Sequence, residues 1–160
     1  MDTDVLWETT ALLEQAAGLE DGERHVPSAD VRVARRVRVA INRAFAECRD
    51  DYSELLDDEI EWIPITGQLD GRTYRGHHGV RRWVEASRDV WRAYRITWHQ
   101  IRDLGEGRVL AFGAWDCVGR QGGVELSFDQ GAWLMDVCDG RMTRMEAFAD
   151  RRDALEAAGL

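Results

Sequence analysis

The spacing of apolar residues changes from helical to alternating close to Tyr94, and this change limits the chain to few folds. Tyr94, Ile96 and Trp98 alternate with polar residues, which is the period of a half-buried strand. Glycine-containing turn signals divide the following sequence into segments of strand length. We therefore predict an antiparallel meander of four long strands that end near residues 105, 119, 137 and 148, with a bend or bulge near Gly131.

The preceding residues have helical spacing. Apolar residues step by three and four from Ala34 to Cys48, which predicts a helix that begins at Asp30. Weaker signals predict a brief helix at 52–56, a strand at 60–65, a helix at 80–91 and a last helix between Asp150 and Gly159. The predicted class is α+β, with a strongly bent mixed or antiparallel sheet packed on N-terminal helices.

The charges are unevenly placed along the first third of the chain. Residues 1–30 hold eight acidic residues and one arginine, and residues 31–49 hold six arginines and one glutamate. Residues 50–61 hold seven acidic residues and no base. The arginines form either a solvated helix face or a surface on which the acidic flanks dock. We predict that residues 1–30, which include a short helix over residues 3–18, fold back onto the arginine-rich helix through the acidic residues of 2–23.

Composition excludes several classes of function. All 21 basic residues are arginine, so chemistry that needs a lysine amine, such as Schiff-base formation, is excluded. The net charge of −9 makes nucleic acid an unfavourable partner. With no 18-residue apolar run and no signal-peptide pattern, we expect a cytoplasmic protein without a membrane partner. Cys48, Cys117 and Cys138 form no CxxC pair, and we expect buried free thiols.

Four segments carry a family resemblance: Asp58–Trp62, Tyr74–Trp83, Asp139–Arg144 and Asp150–Leu160. In order and spacing they resemble the SnoaL-like proteins of the nuclear transport factor 2-like superfamily. The resemblance implies a SnoaL-like domain over residues 31–160, with residues 1–30 as an N-terminal extension. It also implies a cone-shaped α+β barrel, a homodimer formed through the outer sheet face, and an apolar pocket between the sheet and the helices.

The superfamily's known catalytic patterns are incomplete in this chain. The ketosteroid isomerase pattern places a tyrosine near Phe45 and an aspartate base at Ile63, and both polar groups are missing. The epoxide hydrolase pattern requires an Arg-x-Asp motif, of which Asp116 supplies the aspartate while Ala114 replaces the arginine. It also requires an aspartate on the last strand, which Met145–Ala147 lacks.

Asp116 and His99 are the candidate catalytic residues. Asp116 shares one face of a nearly uncharged strand with Phe112 and Ala114, where desolvation strengthens a carboxylate as a base. Alternatively, Asp116 reaches water or pairs with Arg120. An imidazole such as His99 can exchange protons near neutral pH, although a strand histidine is more often a surface or structural residue.

The seven tryptophans indicate both a core and the walls of a pocket for a small apolar or aromatic molecule. The expected pocket walls are Trp62, Tyr74, Trp83, Phe112 and Trp133. His77 and His78 lie between two glycines at a helix start, and we assign His77 a turn-stabilising role. Adjacent loop histidines rarely bind one ion, so we expect no metal and no cofactor.

Together with the resemblance, these residues favour an acid/base enzyme of cyclase or isomerase type. Its substrate would be a small apolar carbonyl-bearing metabolite such as a polyketide intermediate, with Asp116 as acid/base and His99 as its partner or alternative. A non-catalytic small-molecule-binding or interaction domain stays open, as does an epoxide hydrolase-like or dehydratase-like activity. A carboxylate inside an enclosed cavity would favour the enzyme, whereas absence of a buried ionisable group would favour the binding domain.

Overall fold

Six strands form one mixed sheet in the computed structural model, which describes residues 27–65 and 72–160. In chain order they are β1 (Leu56–Ile63), β2 (Tyr74–Arg75), β3 (Trp91–Gly105), β4 (Arg108–Gly119), β5 (Glu125–Cys138) and β6 (Arg141–Phe148). Their spatial order is β2-β1-β6-β5-β4-β3, in which β1 and β6 are parallel and the other neighbours are antiparallel. The sheet is open, with β2 and β3 at its edges.

Three helices accompany the sheet in the described residues: α1 (Ala29–Glu47), α2 (Gly76–Val90) and α3 (Arg151–Ala157). A single 3₁₀ turn, Ser53–Leu55, precedes β1. None of these helices is both long enough and apolar enough to cross a membrane. The predicted α+β class, the mixed sheet and the four-strand meander β3–β6 are confirmed. The sheet of this chain does not close into a complete barrel.

Helix α1 begins where the sequence provides a cap. The Ser28 hydroxyl accepts a hydrogen bond from the Val31 N–H at 3.2 Å, which satisfies one of the free donors of the first turn. The helix ends at Cys48, whose φ of 57° is left-handed. Its buried face, which includes Val37 and Ile41, packs on the sheet. The predicted segment 3–18 and its docking onto α1 lie outside the described residues.

Helix α2 begins four residues earlier than predicted, at Gly76. This glycine has a φ of +70°, which a residue with a side chain rarely adopts. His77 Nε2 lies 2.9 Å from the carbonyl oxygen of Leu56 and so connects the helix start to β1. Tertiary contacts of this kind override the local helix-breaking tendency of the glycines. The turn-stabilising role assigned to His77 agrees with this contact.

Several bulges or irregularities interrupt the strand pairing, and two of them concern residues singled out in the sequence. On β5, the pairing shifts between Gly131 and Phe128, so the strand contains one more residue than the facing segment of β4. This is the bulge predicted near Gly131. On β3, a second shift between Trp98 and Gln100 makes His99 the extra residue, and its side chain is exposed.

The sheet has an apolar cluster on each face. The larger cluster lies on the inner face, where the sheet packs against α1 and α2. The smaller one lies on the outer face, where Phe112 and Leu134 pack with Phe148 and with Ala154 of α3. Alternation along β4 therefore sends Phe112 to the outer face and its neighbour Ala111 to the inner one.

The cysteines are free, as predicted, but their predicted burial is wrong for two of them. Cys117 is buried on β4, whereas Cys48 and Cys138 are exposed. Cys48 follows the end of α1 and accepts a hydrogen bond from Arg88, and Cys138 ends β5. Both lie at the ends of elements, where the apolar pattern of the interior no longer determines burial.

Candidate functional site

A small cavity, called here the inner cavity, lies between the inner sheet face and helices α1 and α2. Its volume is about 20 Å³, close to the space that one water molecule needs. The described residues that line it are almost all apolar; they are Val37, Arg38, Ile41, Trp62, Pro64, Ile65, Trp83, Tyr94, Ile96, Trp98, Trp133, Met135, Met142, Met145 and Ala147.

Two buried indole groups of the inner cavity have unpaired hydrogen-bond donors. Trp62 is 2% exposed and Trp98 is 5% exposed, and the Nε1 atom of each is buried without a hydrogen-bond partner. Buried polar groups are paired in the great majority of cases, and leaving one unpaired costs about 1–3 kcal/mol. The two N–H groups therefore keep an unused capacity to donate a hydrogen bond.

The ionisable groups that line the inner cavity in the described part of the chain are Arg38 and Tyr94. The Arg38 guanidinium lies 5.6 Å from the centre of the Trp98 ring and donates a 3.5 Å hydrogen bond to the Ile96 carbonyl. Burial raises the pKa of the Tyr94 hydroxyl, so this group remains a protonated donor at neutral pH. Within residues 27–65 and 72–160, neither a carboxylate nor an imidazole lines the cavity.

Neighbouring aromatic rings hold the walls of the inner cavity in place. The Trp62 and Trp83 ring centres are 5.4 Å apart, and those of Trp98 and Trp133 are 6.1 Å apart. Behind them, Phe45 stacks on Tyr94 at 4.2 Å. Such ring pairs add stability beyond the area that they bury. The aromatic walls belong to four different elements of the fold.

A larger, open depression, called here the Asp116 hollow, lies beside the ends of β3, β4 and β5. Its volume is about 550 Å³. Asp116 is half-buried there, and the Ser127 hydroxyl donates a 2.6 Å hydrogen bond to its Oδ1. Arg95 is the cross-strand neighbour of Asp116 on β3. The other residues that line the hollow are Asn42, Phe45, Ala46, Arg92, Ala93, Tyr94, Cys117, Val118, Glu125 and Leu126.

The two candidate catalytic residues are not brought together. Asp116 lines the hollow and not the inner cavity, while His99 is exposed and lines neither. His99 lies four residues along β3 from Arg95, the neighbour of Asp116, which corresponds to about 13 Å of strand. A direct acid–base pair between the two side chains therefore does not form in this conformation.

The expected pocket walls divide between the two sheet faces. Trp62, Trp83 and Trp133 line the inner cavity, whereas Phe112 lies on the outer face under α3. Tyr74 is partly buried against the inner cluster without lining the cavity. No group of three or more His, Cys, Asp or Glu side chains within the described ranges is arranged to hold a metal ion.

Two polar residues that line the inner cavity, Trp98 and Arg38, were not among the site residues predicted from the sequence. Trp98 shares its strand face with Tyr94 and Ile96, so alternation along β3 already carried a signal for it. Arg38 is one of the arginines interpreted as a helix surface. It follows Val37 at the edge of the apolar stripe, a position from which a long side chain reaches the interior.

Comparison of the structure with solved structures finds similar proteins at low sequence identity. TerC, co-crystallised with polyporic acid, has a TM-score of 0.62 and 19% identity over 83% of this chain and 100% of its own. A nuclear transport factor 2-like protein from Burkholderia pseudomallei has a TM-score of 0.62 and 15% identity over 81% and 97%. A protein from Shewanella putrefaciens, proposed to be a SnoaL-like polyketide cyclase, has a TM-score of 0.64 and 10% identity over 84% and 98%.

No family model and no curated protein matches the sequence. At these identities the structural similarity establishes the fold and not an activity. The chain has the fold of the nuclear transport factor 2-like superfamily, the superfamily of the SnoaL-like proteins that its sequence resembles.

Proposed function

We propose that this chain binds a small, largely apolar molecule between the inner sheet face and helices α1 and α2. The observation that carries the proposal is the pair of buried, unpartnered indole N–H groups of Trp62 and Trp98 in an otherwise apolar lining. A pocket of this kind, apolar with a few convergent polar groups, is typical of ligand sites. TerC, a protein of similar fold, was co-crystallised with the small molecule polyporic acid.

Binding requires the inner cavity to enlarge, because 20 Å³ does not hold an organic molecule. Three of the lining side chains are methionines, Met135, Met142 and Met145. Methionine is unbranched and has three rotatable bonds, so it changes shape at a lower cost than the fused rings around it. We therefore expect the methionine side chains to change conformation when a ligand enters.

Binding without catalysis is the activity that the inner cavity supports best. Its ionisable groups in the described residues, Arg38 and Tyr94, are both proton donors or cations at neutral pH. Removal of a proton next to a carbonyl requires a base within hydrogen-bond reach. The lining contains none among those residues, and this favours the binding domain over the enzyme.

The proposal is tested with naphthalene as a bare apolar probe. Spectra of ¹⁵N-labelled protein show one indole N–H signal for each tryptophan, and Trp→Phe variants assign the signals. We expect naphthalene to shift the signals of Trp62, Trp98 and Trp133. Trp115, which is buried without lining the cavity, is the control and should shift less. Unchanged signals at saturating probe would overturn the proposal.

A second candidate function is acid/base catalysis of cyclase or isomerase type on a carbonyl-bearing metabolite, carried out in the Asp116 hollow. Its support is the half-buried Asp116 carboxylate, which the Ser127 hydrogen bond holds at the edge of a ligand-sized space. Asp116 would remove a proton from the carbon next to the carbonyl, and the resulting enolate would later take a proton back. Because His99 is exposed and does not line the hollow, the enolate in this proposal takes its proton back from water.

Exchange of the α-hydrogens of 1-tetralone for deuterium in D₂O tests this second candidate. We expect exchange faster than in buffer, with a rate that falls about 100-fold in Asp116→Asn and stays unchanged in His99→Gln. Asp129→Asn is the matched control, because Asp129 is an exposed carboxylate on the same strand as Ser127. Exchange at the buffer rate in the unmodified protein would contradict acid/base catalysis.

We also propose a homodimer formed through the outer sheet face. Helix α3 covers that face at Phe112 and Leu134. Ala114 and Val118 lie on the same face of β4, are half-buried and lie outside the cluster under α3. Light scattering coupled to size-exclusion chromatography should give twice the mass of the chain, and Ala114→Arg should halve it. A monomer at high protein concentration would overturn the dimer.

A further inference from the structure

We infer that the ligand of the inner cavity presents an acceptor oxygen, and preferably an anionic one such as a carboxylate or phenolate, to the indole N–H groups of Trp62 and Trp98. This inference rests on the proposed function and specifies its ligand class. It follows from the hydrogen-bonding groups of the described lining, from the position of Arg38, and from the shape of the aromatic walls.

The side chains that line the inner cavity offer more hydrogen-bond donors than acceptors. The indole groups of Trp62 and Trp98 are donors only, the Arg38 guanidinium is a donor only, and the buried Tyr94 hydroxyl retains its proton. Against these donors, the side-chain acceptors of the described lining are the Tyr94 oxygen and the weakly accepting methionine sulfurs. A molecule that complements such a lining brings acceptors and few donors.

The unpaired state of the two indole groups determines where the ligand gains affinity. Each buried N–H has lost its hydrogen bonds to water without replacing them in the protein. A ligand oxygen that accepts from either group recovers that loss, which corresponds to about a tenfold gain in affinity for each bond. A purely apolar ligand of the same shape would leave both groups unpaired.

The position of Arg38 favours an anion over a neutral acceptor. Its guanidinium lies 5.6 Å from the centre of the Trp98 ring, so an oxygen that accepts from Trp98 lies in the field of a nearby positive charge. Charge–charge interactions gain strength away from bulk water. The same charge disfavours an ammonium ligand. The inference therefore predicts the affinity order anion, then neutral, then cation for ligands of equal shape.

The aromatic walls of the inner cavity favour a ligand with a flat ring system. Trp83 lies beside Trp62, and Trp133 lies beside Trp98, so each donor is next to a flat aromatic surface. A ring system stacks on such surfaces. The class that meets both requirements is a flat, aromatic or polyunsaturated molecule with an acidic oxygen at one end, such as an aryl carboxylate or an acidic phenol.

Three probes of nearly equal shape separate the alternatives: 2-naphthoate, naphthalene and 2-naphthylmethylammonium. Calorimetric or NMR titration of the full chain should show 2-naphthoate binding about tenfold more tightly than naphthalene, with the ammonium weakest. In the ¹⁵N spectra, 2-naphthoate should move the indole proton signals of Trp62 and Trp98 downfield, as a new hydrogen bond does.

Tryptophan variants test which indole N–H groups bind the acceptor oxygen of the ligand. Trp62→Phe and Trp98→Phe keep an aromatic ring but remove the N–H, and each should lower the affinity for 2-naphthoate about five- to tenfold. The affinity for naphthalene should change much less. Trp115→Phe is the matched control, because the Trp115 indole is also buried but lies outside the lining. It should leave the ratio of the two affinities unchanged.

The outcomes separate the inference from the function on which it rests. Equal affinity for 2-naphthoate and naphthalene would overturn the acceptor inference and leave the apolar binding site intact. Tighter binding of the ammonium probe would also overturn it. Binding of none of the three probes would overturn both. Because the preference among probes is measured in the unmodified protein, misfolding of a tryptophan variant cannot hide a negative result.

Discussion

The side-chain amide of Asn42 makes two hydrogen bonds with the backbone of one residue, Ile96. Asn42 Nδ2 donates to the Ile96 carbonyl oxygen, and the Ile96 N–H donates to Asn42 Oδ1, each at 2.9 Å. Strand β3 is an edge strand, so one side of its backbone has no neighbouring strand. The Asn42 side chain occupies the position that a neighbouring strand would have and so holds α1 against β3. This contact lies between the inner cavity and the Asp116 hollow.

Replacing this amide should destabilise the fold. Asn42→Ala removes the hydrogen-bond partner of the Ile96 N–H and one of the donors to the Ile96 carbonyl oxygen. The free energy of unfolding should fall by about 2–3 kcal/mol. Chemical denaturation measures the change. Arg43→Ala, at the exposed neighbouring position of α1, should stay within about 0.5 kcal/mol of the unmodified protein. A similar effect in both variants would show that the Asn42 contact contributes little.

A second prediction concerns the close approach of β3 and β4 at Gly113. A Cβ at this position would lie 1.8 Å from the Thr97 carbonyl oxygen and 2.8 Å from the Trp98 Cα. Backbone atoms cannot move aside as a flexible side chain does, so Gly113→Ala must separate the strands. We expect a loss of about 3 kcal/mol or more in the free energy of unfolding.

The control for Gly113 is a glycine in open space. Gly122 has a φ of +74° and nothing within 4 Å of its added Cβ, so Gly122→Ala has only the backbone cost of about 1 kcal/mol. Denaturation curves of the two variants should therefore differ clearly in midpoint. Equal midpoints would mean that the strands separate at Gly113 without appreciable cost.

The three cysteine thiols should react with a disulfide reagent at different rates, and these rates should depend differently on pH. Burial, with a smaller contribution from the Asp116 charge, raises the pKa of Cys117 to about 11. A raised pKa favours the neutral thiol, so at pH 8 only about one Cys117 in a thousand is a thiolate, and the thiolate is the reactive form. A disulfide reagent at pH 8 should modify exposed Cys48 and Cys138 in the folded protein.

Cys117 should react only after denaturation, or more rapidly as the pH approaches 11 in a protein that remains folded. The Asp139 charge, followed by desolvation, raises the pKa of Cys138, so its rate should also increase with pH. Peptide mapping by mass spectrometry identifies the modified residues. Prompt labelling of Cys117 at pH 8 in folded protein would contradict its buried position.

Helix α3 depends on its N-terminal cap. Asp150 Oδ1 accepts a 2.8 Å hydrogen bond from the Arg152 N–H, and the helix has only seven residues with which to cover the outer apolar cluster. Asp150→Ala should lower the free energy of unfolding by about 1 kcal/mol and speed hydrogen exchange in α3. Glu156→Ala, an exposed change near the end of the same helix, is the control. Unchanged exchange in α3 would rule out a stabilising cap.

The sequence predicted the fold best where turns and alternation agree. The predicted ends of β4 near residue 119 and of β6 near residue 148 agree with the structure. Glycine-containing turns delimit β4 on both sides and precede β6. The start of β1 at Leu56 was missed, since the acidic residues that follow it hide the alternation. The start of α2 was missed because Gly79 is unfavourable in an isolated helix. In the fold, a Cβ at this position would lie only 3.1 Å from the Tyr74 carbonyl carbon, so the close approach favours glycine there.

The candidate site was harder to predict because alternation assigns residues to a common face without saying which face is internal. It grouped Phe112 with Asp116 correctly, but the packing of α3 makes their face the outer one. Trp98 and Arg38 come together only when α1 packs on β3, which depends on contacts more than 50 residues apart, such as Asn42 with Ile96. Local sequence patterns do not contain that information.

Two buried aromatic residues on opposite faces of the sheet provide the last prediction. Trp133 lines the inner cavity and Phe112 packs under α3, and the side chains are 3% and 4% exposed. Trp133→Leu and Phe112→Leu should each destabilise the protein by about 1–3 kcal/mol, since each removes a large ring from a packed cluster. Only Trp133→Leu should also weaken the binding of 2-naphthoate, because Phe112 contacts the other side of the sheet. Titrations at a temperature where both variants stay folded separate the two effects. If both variants lost the same affinity for 2-naphthoate, either the ligand would bind outside the inner cavity or the loss would only reflect the lower stability of the fold.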